Sequence, residues 1–381
     1  MNELVSVIVP CYNVEGTLER CLASIAAQTH ENIEVLCVND GSTDSTLAVA
    51  EAFAAADERF RVIDKPNGGY GAACNRALDE AQGAWVAVVE PDDTIRPQMF
   101  EKMLAFAEKV GAKGPVDVVK TPYWTVLPGD GATDGATIPC RYYGRVRVKQ
   151  QPFVIEMGAR LMKHRPSIWS ALYRTEFLRS NGIRFVEAPG AGWTDNPFLY
   201  DTLLRARGIA YLNEAFYEYR EEAPEKTEAF AKNHPDQVIA RLNEMADIVD
   251  ELNVVDADVL GAHAKRTVNY LRILADAHGL GDGKEPAETY VEATGIDAPW
   301  SAAKTYHAMQ DVARRLDPAI VFAEPELPTR NKRLFAALTG EPMPRISPLP
   351  RLKTHTEEAL WLLRTRAQRG GSRAGSRSGQ A

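Results

Sequence analysis

The chain has 381 residues, enough for one catalytic domain of roughly 200 to 250 residues and a smaller appendage, because single cores stop growing near that size. With 45% hydrophobic and 25% charged residues, general disorder is excluded, and a formal net charge of −8 argues against a nucleic-acid binder. No apolar run approaches the roughly 18 to 20 residues of a membrane span, and the start MNELVSVIVP lacks the basic stretch of a secretory signal, so a cytoplasmic domain opening in a strand is the expectation.

Short apolar runs alternate with helical patterns over the first hundred residues, the rhythm of an α/β sheet with mostly parallel strands. Residues 5–9 read as a buried strand, 15–28 as a helix, 34–39 as a strand and 43–56 as a helix. A short strand at 61–64, a helix at 71–82 and a strand at 85–90 follow. The strand ends then carry Pro10, Asp40 and the cluster Glu90-Pro91-Asp92-Asp93. Ligands of open α/β sheets bind beyond the carboxyl ends of the strands, so these segments are expected to share one crevice.

Further along, 116–120 reads as a strand and 128–135, rich in Gly and Asp, as an irregular loop. A strand, helix and strand are expected from 167 to 186, then a Gly-rich mobile loop at 187–194, a helix at 195–207 and a strand at 210–213. After Glu221 the pattern turns helical: Val238, Leu242, Met245, Val249 and Leu252 mark one apolar face, and Val259, Val268, Leu271 and Leu274 another. The expected units are 1–221, 222–340 and a basic tail, 341–381, whose end is Gly-, Ser- and Arg-rich and expected to be disordered. From Arg345 onward eight Lys or Arg face only Glu357 and Glu358, a net of +6 that leaves −14 for the residues before it. Leu360 to Leu363 beside those arginines suggest peripheral contact with an anionic membrane, with docking on the protein's own acidic body as the competing reading. Five cysteines without C-x-x-C spacing read as buried free thiols.

Three carboxylates directly after a buried strand, at Glu90, Asp92 and Asp93, suit a hard divalent cation, although such a cluster is also an ordinary solvated turn. Asp40-Gly41 is also a turn signal, Ser42 or Thr43 a helix cap, and Glu15 a helix-dipole partner. Asn67-Gly68-Gly69 is a turn by composition, and Lys65 reads equally as a surface charge.

Taken in order, VSVIVPCYNVEGTLERCLASI, LCVNDGSTDST and KPNGGYGAACNRALDEAQGAWVAVVEPDD resemble the family-two glycosyltransferases of the GT-A fold, over roughly residues 4–220. The resemblance implies a mixed α/β sheet and an inverting transferase that takes a sugar from a nucleotide diphosphate, expected to be a UDP-sugar, with Mn²⁺ or Mg²⁺. It places Pro10, Tyr12, Asn13 and Glu15 in the nucleotide pocket, Asp40 on the uracil N3 proton, and Lys65, Asn67 and Asn75 with the nucleotide sugar. Glu90 then lies near the ribose and Asp92 and Asp93 near the metal. Two departures stand out: Glu90 where the family often has Asp, and Cys74 where it often has Arg.

Inversion needs a base for the acceptor hydroxyl. The stretch GAGWTDNPFLYDTLLRARGIAYLNEAFYEYR resembles the family's acceptor region, and Asp195 falls on its base position. Asp195 before Asn196-Pro197 is also a good helix N-cap, and Glu187 and Asp201 are the nearest other carboxylates there. Trp193 is a candidate for stacking on a sugar or for anchoring its loop, and Arg220 for the diphosphate or for a surface ion pair. The implied acceptor is a carbohydrate or a lipid-linked glycan of cell-surface polysaccharide assembly, at the inner face of the plasma membrane. Rival readings are a sugar nucleotidyltransferase, which would need a Gly- and Arg-rich loop that PCYNVEGTLERC lacks, and a domain that binds sugar nucleotide or glycan without turnover.

Overall fold

A computed structural model describes residues 2–129, 135–221, 224–281, 283–286 and 300–344. The basic tail from residue 345 onward, with its membrane and disorder expectations, and part of the loop at 128–135 lie outside them. No helix among the described residues is long and apolar enough to cross a membrane.

The first half alternates β1 (Val5–Cys11), α1 (Leu18–Ala26), β2 (Ile33–Asp40), α2 (Thr46–Ala56), β3 (Phe60–Lys65), α3 (Tyr70–Glu80) and β4 (Trp85–Val88). Every residue of β1 and β4 is buried, because helices cover both faces of the sheet, which is why these strands read as unbroken apolar runs. Helix α1 turns Leu18, Cys21, Leu22 and Ile25 inward at helical spacing and begins later than its sequence pattern suggests. The Val14 carbonyl accepts both the Thr17 and Leu18 N–H groups, so residues 14–17 form a turn rather than helix.

Next come β5 (Thr94–Ile95), α4 (Met99–Gly111), β6 (Val118–Lys120), β7 (Tyr123–Val126), β8 (Thr137–Pro139), β9 (Ala171–Arg174), α5 (Thr175–Ser180), α6 (Asp195–Arg205), β10 (Ile209–Tyr211) and β11 (Tyr217–Arg220). The main sheet runs β10-β6-β9-β4-β1-β2-β3, parallel except for β9, which pairs antiparallel with both β4 and β6. A second sheet, β5-β11-β7-β8, had no counterpart in the sequence pattern: its strands have two to four residues and only pairing reveals them. The strand expected at the end of the 167–186 stretch is absent. There the Asn75 side chain takes the place of a ladder partner, accepting the Phe185 N–H and donating to the Phe185 carbonyl, each at 2.9 Å.

Helices alone follow: α7 (Pro224–Asn233), α8 (Pro235–Glu251), α9 (Ala257–Ala277), α10 (Ala302–Arg314), α11 (Pro318–Ala323) and α12 (Thr329–Thr339). The apolar faces read from the sequence are buried, with Val238, Leu242 and Met245 on α8 and Val259, Val268, Leu271 and Leu274 on α9 fully so. Buried apolar residues form one cluster from Val5 to Leu338, so the helices share the core of the sheet. All five cysteines are free and buried.

Candidate active site

The carboxyl ends of β1, β2 and β4 open into a cavity of about 860 Å³. Its rim is pinned by side chains. Asn13 adopts φ 52°, and its Oδ1 accepts the Thr43 N–H at 2.8 Å, while the Val14 N–H donates to Thr46 Oγ1 at 2.8 Å. These bonds lock the loop after β1 to the loop after β2. Tyr12, 51% exposed, offers a ring face at the mouth. Asp40 is buried at the end of β2, where its carboxylate accepts the Gly68 and Gly69 N–H groups at 2.9 and 2.8 Å and pairs with Lys65. Gly69 holds φ 89°, and a Cβ there would lie 2.1 Å from the Ala188 carbonyl, so the close approach of the 188–190 loop requires glycine. That loop is tied down by the Tyr70 N–H, which donates to the Gly190 carbonyl at 2.9 Å.

After β4 the chain turns through Glu90 to Asp93. Glu90 accepts the Tyr70 hydroxyl at 2.7 Å, and burial, reinforced by the nearby Asp92 and Asp195 charges, pushes its pKa up to about 8 despite that bond. Asp92 is half-buried and lines the cavity. Asp93 points the other way: it is 1% exposed, accepts the Tyr217 hydroxyl at 2.8 Å and the Arg220 N–H at 2.7 Å, and burial raises its pKa. It thereby ties the turn to β11.

A second cavity, about 540 Å³, lies on the far side of Glu90 and Asp92, which line both. Asp195 stands in it at the first position of α6. The capping position belongs to Thr194, which makes no side-chain capping bond, so the reading of Asp195 as N-cap is corrected: the chain is already helical at 195. Burial raises the Asp195 pKa, against the lowering effect of Arg266, Arg165 and the Asn196 amide. That amide donates to Asp195 Oδ1 at 3.0 Å, and its own oxygen accepts from Arg266 Nη1 and the Tyr270 hydroxyl, both at 2.8 Å. Helix α9 therefore orients the group beside Asp195. Trp193, at φ 54°, packs against Phe230 and Tyr270 with ring centroids 5.5 and 4.7 Å away, which anchors its loop while leaving it on the second cavity's wall.

Of the residues singled out from the sequence, Pro10, Tyr12, Asn13, Asp40, Asn67, Glu90, Asp92 and Arg220 line the first cavity, and Asp195 and Trp193 the second. Lys65 touches the first through Asp40. Glu15 faces the start of α2, accepting the Ser45 N–H at 2.8 Å, and Asn75 straps Phe185 and Glu187 from within the core. Tyr70, Tyr217, Arg266 and Tyr270 were not singled out. Tyr70 and Tyr217 stood inside quoted stretches, but Tyr217, Arg266 and Tyr270 bear on the site through contacts between distant segments. Among the described residues no three His, Cys, Asp or Glu side chains surround one point as a ready metal cage. The donor set is nonetheless all carboxylate oxygen, and a magnesium-like ion commonly uses one or two carboxylates plus substrate phosphates. Asp92 fits that role, and Asp93, engaged by Tyr217 and Arg220, supports the turn that presents it.

Residues 6–167 match the family model for glycosyl transferase family 2. The chain is 33% identical over 240 residues to the uncharacterized glycosyltransferase EpsJ of Bacillus subtilis, a match covering 60% of this chain and 64% of EpsJ. It is 29% identical over 266 residues to the glycosyltransferase GlyG of Streptococcus pneumoniae, covering 64% of this chain and 83% of GlyG. The chain thus spans less than two thirds of the length of EpsJ, and only 60% of a second Bacillus relative, the putative glycosyltransferase EpsH. Staphylococcus aureus TarS 1–349 superposes with a TM-score of 0.61 at 22% identity, covering 88% of this chain and 90% of that one, which places the fold with the GT-A structures. TarS has also been crystallised with UDP-GlcNAc.

Proposed function

We propose that the chain, whose residues 6–167 match glycosyl transferase family 2, moves a sugar with inversion from a nucleotide diphosphate, of the UDP-sugar class, to a glycan or lipid-linked acceptor in cell-surface polysaccharide synthesis. The observation that carries this reading is the shared wall: Glu90 and Asp92 line both the cavity at the strand ends and the cavity that holds Asp195. A donor in the first and an acceptor in the second meet across that wall. The base of the nucleotide lies toward Tyr12 and Asp40, and the diphosphate toward Asp92 and Arg220. Asp195 takes the proton of the acceptor hydroxyl as its oxygen attacks the anomeric carbon, and the bond from that carbon to the diphosphate oxygen breaks on the opposite face. Burial strengthens Asp195 as a base by raising its pKa. Asp92 would hold a divalent cation, which would supply charge neutralisation for the leaving diphosphate.

Asp92 puts a carboxylate on that wall, so a diphosphate approaching it without a cation would meet like charge. Incubation of the protein with Mn²⁺ and a panel of nucleotide sugars should release the nucleoside diphosphate, not pyrophosphate, and Asp92→Asn should remove the metal dependence of UDP binding. Pyrophosphate release would favour a nucleotidyltransferase, and nucleotide-sugar binding with no turnover toward any glycan acceptor would favour a binding domain. Unchanged Mn²⁺ dependence in Asp92→Asn would remove the metal assignment.

A further inference from the structure

Helix α1 meets the first cavity at its N-terminal end, where Gly16, Thr17 and Arg20 line the wall. Two consecutive side chains of that helix hold the acidic turn after β4. Arg20 Nη2 donates to the Asp92 carbonyl at 3.0 Å, and Cys21 Sγ to the Glu90 carbonyl at 3.3 Å. The Arg20 bond uses one of the five N–H donors of a guanidinium. Among the described residues the Arg20 side chain makes no other hydrogen bond and no ion pair, and the residue is exposed.

Its place in the helix is one that stability disfavours. With Thr17 at the N-cap, Arg20 is the third helical residue, in the turn where the helix dipole favours an anion and opposes a cation. Glu19 suits that end of the helix, and Arg20 does not. Arg20 and Arg220 are the cations among the described residues that line the cavity. Lys65 is held by Asp40 and the Pro66 carbonyl, and helix α3 contributes Ala73 to the wall while Cys74 is fully buried. A guanidinium with no acid partner, at a helix end that opposes it, is stabilised when an anion enters the cavity.

We infer that Arg20 binds the diphosphate of the donor, on the α1 side of Asp92. This deepens the glycosyl-transfer reading above and rests on it for the identity of the ligand. The bond to the Asp92 carbonyl fixes the guanidinium beside the residue that fits a cation, and its remaining N–H groups are left for phosphate oxygens. As the bond from the anomeric carbon to the diphosphate oxygen breaks, its electron pair stays on that oxygen. Negative charge on the diphosphate therefore rises, and the charge-assisted bonds from Arg20 strengthen as the sugar leaves.

The test titrates uridine and UDP calorimetrically into the full chain as wild type, Arg20→Gln and Arg20→Lys, at saturating Mn²⁺. Arg20→Gln should weaken UDP about tenfold and leave uridine unchanged, with Arg20→Lys between the two. The melting temperature of Arg20→Gln without ligand should equal or exceed that of wild type, because the opposed cation is gone from the helix end. Unchanged UDP affinity, or equal weakening of uridine and UDP, overturns the contact. So does UDP affinity that excess Mn²⁺ restores, since Arg20 would then only support the Asp92 turn. Should the wild-type chain bind no uridine nucleotide, the donor reading fails, and inorganic pyrophosphate then decides the contact. Arg20→Gln should bind it about tenfold more weakly than wild type, and equal binding would reject Arg20 as a diphosphate ligand.

Discussion

Asp195 bears the most specific expectation at the scale of single residues. It sits at the first helical position without capping α6, so Asp195→Asn removes a base and leaves the helix start nearly intact. Transfer should fall by about 10²- to 10⁴-fold, with donor affinity and melting temperature close to wild type. Near wild-type turnover would reject Asp195, and the fallback carboxylates offer little: Glu187 accepts from Asn75 and Asp201 from Arg205, and neither lines either of these two cavities. The two departures from the family pattern also meet at one place. Cys74 is fully buried, and burial together with the nearby Glu90 charge pushes its pKa up, while the Tyr70 hydroxyl donates to the Glu90 carboxylate. With no arginine there, Glu90 keeps its proton more readily, its pKa pushed up to about 8 chiefly by burial.

At the scale of elements, helix α9 acts on the site through a single amide. Arg266 and Tyr270 both donate to Asn196 Oδ1, which fixes that amide so that its NH₂ group faces Asp195. Tyr270 is therefore a positioning residue. Tyr270→Phe removes one of the two donors, loosens the amide and weakens a hydrogen bond that lowers the Asp195 pKa. Turnover should drop by roughly three- to tenfold, the loss of about one net hydrogen bond, at unchanged donor KM. The acidic limb of the pH–rate profile should move upward, because Asp195 then holds its proton to higher pH. A fall in melting temperature with no movement of that limb would mean that the hydroxyl serves packing alone.

The described residues share one apolar cluster in which some titratable groups are buried outside the two cavities, and stability should carry their signature. His263 on α9 is buried against the Tyr200 hydroxyl at 3.1 Å, and burial lowers its pKa to about 4. The unfolded chain, with an ordinary imidazole near 6.5, takes up the proton first. The stabilisation is therefore complete above about pH 6.5 and is lost as pH falls toward 4, by at most about 3 kcal/mol. Buried acids such as Asp195 and Asp93, whose pKa values are raised, push the other way, so the difference between two proteins isolates the term. His263→Asn keeps a polar group for Tyr200 and cannot take that proton. Urea unfolding from pH 7 to pH 4.5 should show a shallower loss of stability in the variant than in wild type, whereas parallel curves would mean that His263 is protonated alike in both states.

The alternation of strands and helices through β4 was legible in the sequence because parallel strands covered on both faces must be apolar throughout, and the residues at their ends were legible because strand ends set the crevice. Pro10, Asp40, Glu90 and Asp92 accordingly come together at one cavity. The helical faces of α8 and α9 were readable from their 3.6-residue spacing. What the sequence left open were relations between segments far apart in the chain. The short strands of the second sheet exist only through their partners, Asn75 replaces a strand at Phe185, and Asp93 turns inward because Tyr217 and Arg220, more than a hundred residues away, supply its donors. The contacts of Arg266 are of the same kind, since its bonds to the Met162 and His164 carbonyls form only when α9 packs beside that segment. Local periodicity and motif order follow from the backbone's own repeat, whereas the direction of a polar side chain is decided by whichever partner the folded chain brings within hydrogen-bond reach.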